Sequence, residues 1–247
     1  MTEQSRSLRI SPRFCGPRNT GNGGYVAGLL ARQIDGPVEV TLRRPPPLGR
    51  ELRVVSGESS VDLYDGDSLI ANAVAAPLHL ELPSPPKLGE ARKAAERYRG
   101  RERHPFPACF VCGPQRTPGD GLRIFPGPMD DGSGSVAGTW ECGEPLADAE
   151  GFVRPEFICA ALDCPGHWAC AEDSGDAGDT VSVLARFHCE TERALPAGSE
   201  VVAMAWPLAC SQRHSEAATA LFDGMGHLIG RARTVWVSVP RERFPDG

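Results

Sequence analysis

Two adjacent glycines stand directly before an apolar segment in the stretch NTGNGGYVAGLLARQID, residues 19–35. The apolar residues predict a buried helix that begins near Gly23 and Gly24. A helix N-terminus carries unpaired backbone N–H groups and a partial positive charge, and glycine leaves these donors uncovered. Asn22, Gly23 and Gly24 are therefore candidates for holding an oxygen that becomes negative during a reaction. Alternatively, the glycines only permit a tight turn or close packing against a sheet.

A carboxylate lies in a second apolar segment, FICAALDCPGHWA, residues 157–169. A buried carboxylate such as Asp163 needs a chemical or structural reason. It could activate water or attack as a nucleophile. The alternative is a helix N-cap, because Pro165 would break the first helix and Asp163 could then cap a new turn. His167 and His188 are further candidate bases, although neither has a visible nucleophile partner.

The stretch HPFPACFVCGP contains a Cys-x-x-Cys pair, Cys109 and Cys112. A structural zinc site needs four ligands, and the sequence suggests only His104 and Cys142 as supplements. A redox motif should open a helix after a strand, whereas a Gly-Pro pair follows here at once. We therefore predict a loop that enters the second half of the chain, with no metal and no cofactor.

The nine cysteines do not indicate a disulfide framework, because their number is odd and the chain is long. Four of them lie in apolar or helical surroundings and are expected to be free buried thiols. They are Cys159, Cys164, Cys170 and Cys189.

The amino-acid composition argues against several classes of function. The chain has 247 residues, of which 40% are hydrophobic and 23% charged, so it can form one large domain or two small ones. A net charge of -6 argues against nucleic-acid binding. The N-terminus lacks the apolar core of a signal peptide, and no run reaches the roughly 18 to 20 apolar residues of a membrane span. We expect a cytoplasmic protein without membrane contact.

An internal repeat gives the clearest sign of organisation. LYDGDSLIANA (63–73) returns as LFDGMGHLIGRA (221–232), and both predict a hairpin with a two-residue Asp-Gly turn. Each copy follows a strand, a helix and a further strand pair, so this order occurs twice. We predict domains at 1–84 and 106–247. Prolines and a charged run at 85–105 predict a linker with a short solvated helix.

The order of elements, with NGGYVAGLLA and the paired Asp-Gly hairpins, resembles the hot-dog fold. Two copies in one chain resemble the double-hot-dog acyl-CoA thioesterases. The resemblance implies an α+β double hot-dog, with two antiparallel sheets that each wrap around a central helix. It also implies hydrolysis of an acyl-CoA or related thioester, and it leaves room for a homodimer of double hot-dogs. The alternative is a non-catalytic hot-dog protein that binds acyl or other lipophilic ligands.

The resemblance also suggests site residues. Many hot-dog thioesterases carry an acid about two turns after the glycine pair; here that position holds Ala31, whereas Asp163 stands seven residues after Glu156 in the second helix. The chain is thus expected to have one composite site. Thr180, in TVSVLARFH, stands in the place of the family's water-positioning threonine, and Thr234 replaces its last-strand glutamine. Candidates for contacts to coenzyme A phosphates are Arg43, Arg44, Arg116 and Arg123.

Overall fold

The computed structural model describes residues 4–171 and 179–244. These residues form four α-helices and eleven β-strands. The helices are α1 (Gly23–Ala31), α2 (Leu88–Glu96), α3 (Pro155–Ala161) and α4 (Cys164–Ala169). The strands of the first half are β1 (Gln4–Arg9), β2 (Val38–Leu42), β3 (Glu51–Ser56), β4 (Ser60–Asp65) and β5 (Ser68–Ala75). Those of the second half are β6 (Gly127–Pro128), β7 (Val136–Glu141), β8 (Thr180–Thr191), β9 (Glu200–Ala209), β10 (His214–Phe222) and β11 (Leu228–Pro240).

All strands belong to one antiparallel sheet of order β1-β3-β4-β5-β2-β8-β11-β10-β9-β7-β6. Each half contributes the same order, read outward from the centre, except that the short β6 is added at one edge. The halves join where β2 pairs with β8, with Val38 opposite Cys189 and Thr41 opposite Arg186. The prediction of two separate sheets is therefore wrong, because the backbone hydrogen bonds continue across this central pair.

Both predicted hairpins are present. In the first, Asp65 pairs with Ser68, so the two turn residues are Gly66, with a φ of 57°, and Asp67, one position later than the predicted Asp-Gly turn. The second is longer than predicted, because Phe222 pairs with Leu228 and leaves residues 223–227 in the loop. The carboxylate of Asp223 orders this loop by accepting hydrogen bonds from backbone N–H groups within it.

The helix α1 is buried from Gly24 to Ala31 and packs against α3. This close approach requires glycine, since a Cβ on Gly28 would lie 2.6 Å from Glu156 Cα. The second predicted helix is divided into α3 and α4. Pro165 explains the break, because its ring excludes the hydrogen-bonded helical path that would continue α3.

The helix α2 is not the solvated helix predicted for the linker. Ala91 and Ala94 are completely buried and pack with Val202 and Met204 of β9. The neighbouring residues of β9, which point to the other side of the sheet, belong to the main core with α1 and α3. The α2 helix therefore covers the outer face of the second half, and its two alanines supply a narrow apolar contact.

The prediction of a free Cys170 is wrong, because Cys170 forms a disulfide with Cys210. Cys170 directly follows α4 and Cys210 directly follows β9, and the fold brings their Cα atoms to 5.5 Å from each other. Cys159, Cys164 and Cys189 are free and buried, as predicted. Within the described ranges, no helix combines the length and the apolar character that crossing a membrane requires.

Candidate active site

A cavity of about 320 Å³ lies between the two halves of the chain. The loop before α1 and the segment after β2 form one side, while α4, β8 and β11 form the other. Large apolar side chains make up much of its wall: Leu42, Phe106, Leu184, Trp236 and Phe244. Because both halves contribute, neither half alone could form this cavity.

Asp163 lies at the cavity wall and is only 1% exposed. Its Oδ2 accepts hydrogen bonds of 2.9 Å from Asn22 Nδ2 and from the N–H of Gly24. Its Oδ1 has no hydrogen-bond partner within the described part of the chain. Asp163 occupies the N-cap position of α4 but makes no capping bond there. The N-cap interpretation is thus right about position and wrong about the hydrogen bond, because the side chain reaches across to α1.

The start of α1 is built around this carboxylate. Asn22 caps α1 through a 2.9 Å bond from the N–H of Tyr25 to Asn22 Oδ1, which leaves its amide nitrogen for Asp163. A Cβ on Gly24 would lie 2.4 Å from Asp163 Cβ, so the packing reading of this glycine holds, although against a helix rather than a sheet. The N–H of Gly24 is occupied by Asp163. The N–H of Gly23, which lines the cavity, donates no hydrogen bond among residues 4–171 and 179–244.

The electrostatic setting of Asp163 is unusual for a carboxylate. Burial raises its pKa from 3.8 to about 7, while the Gly24 N–H opposes this shift by stabilising the charged form. The Asn22 amide acts in the same direction as Gly24. A carboxylate with a pKa near neutrality can both take up and return a proton, which is the requirement for a general acid–base group.

The two threonines suggested by the resemblance lie outside the cavity lining. Thr180 is the first residue of β8 and pairs with Pro240. Thr234 is buried, donates to Ala217 O and accepts from Trp236 Nε1. Ser182 lies two residues after Thr180, on the same face of β8, and is among the residues that line the cavity. Sequence reasoning missed Ser182, although the period of two along β8 makes it the next candidate.

Of the two candidate histidines, one lines the cavity and the other does not. His167 lines the cavity and lies against Trp236, with ring centroids 5.2 Å apart. His188 lies further along β8 and its Nε2 is 3.0 Å from Ala76 O, outside the cavity lining. Of the two, His167 alone is placed to reach a bound molecule.

The arginines also divide into two groups. Arg43 and Arg44 line the cavity together with Arg243, which the sequence analysis did not single out. Arg116 instead bonds Ala108 O and Asp120, and Arg123 donates to the carbonyl of Arg116. Arg116 and Arg123 thus hold the loop between the halves, while the other three place positive charge at the cavity.

A group of three buried thiols adjoins the site. The Sγ atoms of Cys109, Cys112 and Cys164 lie within 4.8 Å of one another. The pKa of Cys109 is lowered because the other two thiols hydrogen-bond to its sulfur. The third member is Cys164, at the start of α4, and not Cys142, which the sequence suggested and which lies outside this group. The group supplies three thiols among the described residues, one fewer than the four ligands of a structural zinc site, so the expectation of no metal stays a prediction.

Known proteins resemble this chain in structure but not in sequence. No family model matches the sequence, and no curated protein matches it. The acyl-CoA thioesterase II TesB2 of Mycobacterium marinum matches with a TM-score of 0.60 and 11% identity, over 96% of this chain and 93% of that one. The tesB protein of Mycobacterium avium subsp. paratuberculosis gives 0.60 and 12% over the same shares.

A conserved protein of unknown function with a hot dog fold, from Alicyclobacillus acidocaldarius, also matches at a TM-score of 0.60, with 8% identity over 96% of this chain and 93% of that one. At such low identities the similarity establishes the fold. The chain has an α+β hot-dog fold, as the family resemblance of its sequence implies.

Proposed function

We propose that this hot-dog chain is an acyl-CoA thioesterase whose single active site is the cavity at Asp163. One observation carries the proposal: a buried carboxylate is held through Oδ2 by α1, while Oδ1 has no partner among the described residues. Buried polar atoms are normally hydrogen-bonded, so an unpaired oxygen at a cavity wall suits a water molecule or a substrate atom.

In the proposed reaction, Asp163 Oδ1 removes a proton from water as the water oxygen attacks the thioester carbonyl carbon. The carbonyl oxygen becomes negative and accepts a hydrogen bond from the N–H of Gly23, at the positive end of α1. The intermediate then breaks its carbon–sulfur bond. The coenzyme A thiolate leaves and takes the proton back from Asp163, which yields a carboxylic acid and a thiol.

The cavity chemistry fits an acyl-CoA substrate. Its apolar wall, including Leu42 and Leu184, suits an acyl chain, and Arg43, Arg44 and Arg243 suit the phosphates of coenzyme A. Arg116 and Arg123 were also candidates for these phosphate contacts. Their hydrogen bonds to backbone carbonyls favour a different role, which is to hold the loop between the halves.

We further propose that the chain is a double hot-dog, with units at 1–84 and 106–247. The same strand order in both halves supports this division. In this arrangement Asn22 and Gly23 come from one unit and Asp163 from the other. Residues 85–105 connect the units. Their helix α2 packs against the second unit and is not surrounded by solvent.

A second function is favoured by a specific observation. Neither Thr180 nor Thr234 lines the cavity, so the water-positioning residues of the double-hot-dog thioesterases are not reproduced. A hot-dog protein that binds an acyl ligand without hydrolysing it would need the cavity and the arginines but no positioned water.

The deciding experiment measures coenzyme A release from acyl-CoAs of several chain lengths, with chromatographic detection. Asp163→Asn retains an oxygen for the Gly24 N–H but loses the base, so we expect turnover to fall about 10²- to 10⁴-fold with the fold intact. Ala31→Ser, at the equivalent position of α1, is the matched control and should retain turnover. Thermal stabilisation by acyl-CoA without release of thiol would favour the binding protein, and normal turnover by Asp163→Asn would overturn the role of the carboxylate.

A further inference from the structure

Three cysteine side chains converge from separate parts of the sequence beside the cavity. Cys109 and Cys112 lie in the turn that precedes β6, and Cys164 begins α4. The sulfur atoms of Cys109 and Cys164 are 3.7 Å apart. Zinc–sulfur bonds of about 2.3 Å in a tetrahedral site place two sulfurs about 3.8 Å apart. These two sulfurs are thus spaced as two ligands of one cation would be, and Cys112 Sγ lies within 4.8 Å of both.

The turn that carries Cys109 and Cys112 is held by its backbone. The N–H of Gly113 bonds Cys109 O at 3.0 Å, and a Cβ on Gly113 would lie 2.5 Å from that oxygen, so this tight turn requires glycine. Tyr98 Oη donates to Cys112 O at 2.9 Å. These contacts hold both thiols on the same side of the turn, facing Cys164.

Hydrogen-bond donors face the sulfurs. Asn22 Nδ2 lies 3.8 Å from Cys164 Sγ, and His104 Nε2 lies 3.3 Å from Cys112 Sγ. His104 Nδ1 accepts a 2.9 Å bond from the N–H of Phe106, so the ring proton is on Nε2 and points at Cys112. His104 thus supports the Cys112 sulfur instead of acting as a fourth ligand, as outer partners do in metal sites.

We propose that Cys109, Cys112 and Cys164 bind a thiophilic divalent cation, with zinc as the metal that this ligand set favours. Thiolates are the ligands that select zinc over magnesium or calcium. Cys112 and Cys164 line the cavity, which gives the cation a path of entry and leaves its fourth position accessible from there. The site stands on the thiol geometry alone and does not depend on thioester hydrolysis.

The test uses the full chain, purified under reducing conditions, stripped with a chelator and reloaded with Zn²⁺ alone. We expect one zinc per chain by elemental analysis, and sulfur scattering from three ligands in the zinc X-ray absorption spectrum. Cys109→Ser, Cys112→Ser and Cys164→Ser should each weaken zinc binding by about 100-fold or more. His104→Ala should retain a full equivalent but bind about tenfold more weakly, the effect expected for an outer partner.

Cys142→Ser is the matched control, because Cys142 is an equally buried free thiol outside the cluster, and it should bind zinc like the unaltered chain. Circular dichroism establishes that each variant is folded, and the absorption spectrum of the unaltered chain identifies the ligands without any variant. A reduced chain that takes up no zinc would overturn the proposal. So would zinc that survives all three serine substitutions, or a Cys109–Cys112 disulfide that persists under these conditions.

Discussion

At the scale of single residues, the site depends on which polar groups already form hydrogen bonds within the protein. The N–H of Gly24 and the amide of Asn22 both serve Asp163, so the oxyanion role proposed for the glycine pair passes to Gly23. Gly24 has a different task, which is to let α1 approach α3 and α4. Gly23 is therefore proposed for a chemical role, whereas Gly24 meets a steric requirement.

This separation gives a prediction about stability. Gly24→Ala would place a Cβ 2.4 Å from Asp163 Cβ and 2.7 Å from Cys159 O, which is a backbone atom that cannot turn aside. We expect a loss of about 3 kcal/mol in the free energy of unfolding, measured by urea denaturation. Gly23→Ala is the control, because its nearest contacts are side-chain atoms of Leu184 and Leu42 rather than backbone, and it should cost less, about 1 kcal/mol. Equal losses in the two variants would argue against the close helix contact.

A second prediction concerns the hydroxyl groups of β8. Ser182 lines the cavity and Thr180 does not, so Ser182→Ala should lower kcat for acyl-CoA hydrolysis by about tenfold, the value of one lost hydrogen bond. Thr180→Val should change kcat by no more than about twofold. If Thr180→Val proved the more damaging, the water would lie at the start of β8, as the family resemblance implies.

At the scale of elements, the packing of α1 against α3 supports the proposal of a single active site. Glu156, in the first turn of α3, is 2% exposed and forms an ion pair with Arg32 at 3.2 Å. A negative charge therefore stands where the equivalent oxyanion would form, and Ala31 provides no acid. The pseudo-equivalent position is filled by an ion pair that links the helices.

The ion pair can be tested from both ends. Arg32→Met leaves the buried Glu156 carboxylate with Arg154, 3.9 Å away, as its one cationic partner among the described residues, and should lower the free energy of unfolding by about 2 kcal/mol or more. Glu156→Gln removes the buried charge and leaves a half-exposed arginine, so its cost should be about 1 kcal/mol. Neither variant should change kcat by more than about twofold. A large fall in kcat for Glu156→Gln would mean that the second position also takes part in turnover.

At the scale of the whole molecule, two halves with the same strand order share one continuous sheet and one cavity. The cavity takes its amide donor from the first half and its carboxylate from the second. In the proposed double hot-dog, one site therefore needs only one component from each half, and the second, equivalent site is not required.

This arrangement predicts the binding stoichiometry. A non-hydrolysable acyl-CoA thioether, titrated into the chain by calorimetry, should bind at one equivalent per chain. Asp163→Asn should preserve that stoichiometry, since the apolar wall and the arginines remain. Two equivalents per chain would contradict the composite site and indicate an independent site in each half.

The sequence by itself determined the local elements. The Asp-Gly repeats predict the two hairpins, the glycine pair and its apolar run predict α1, and Pro165 predicts the break after α3; these signals depend on neighbouring residues alone. Tertiary structure decided which distant groups meet. Asp163 finds Asn22 and Gly24, Cys164 completes the group around Cys109, and Cys170 bonds Cys210, because packing joins segments that are far apart in sequence. The pairing of β2 with β8 likewise could not be predicted from the sequence. The alternation of apolar and polar residues along a strand indicates which face is buried, but it does not indicate which strand is the neighbour.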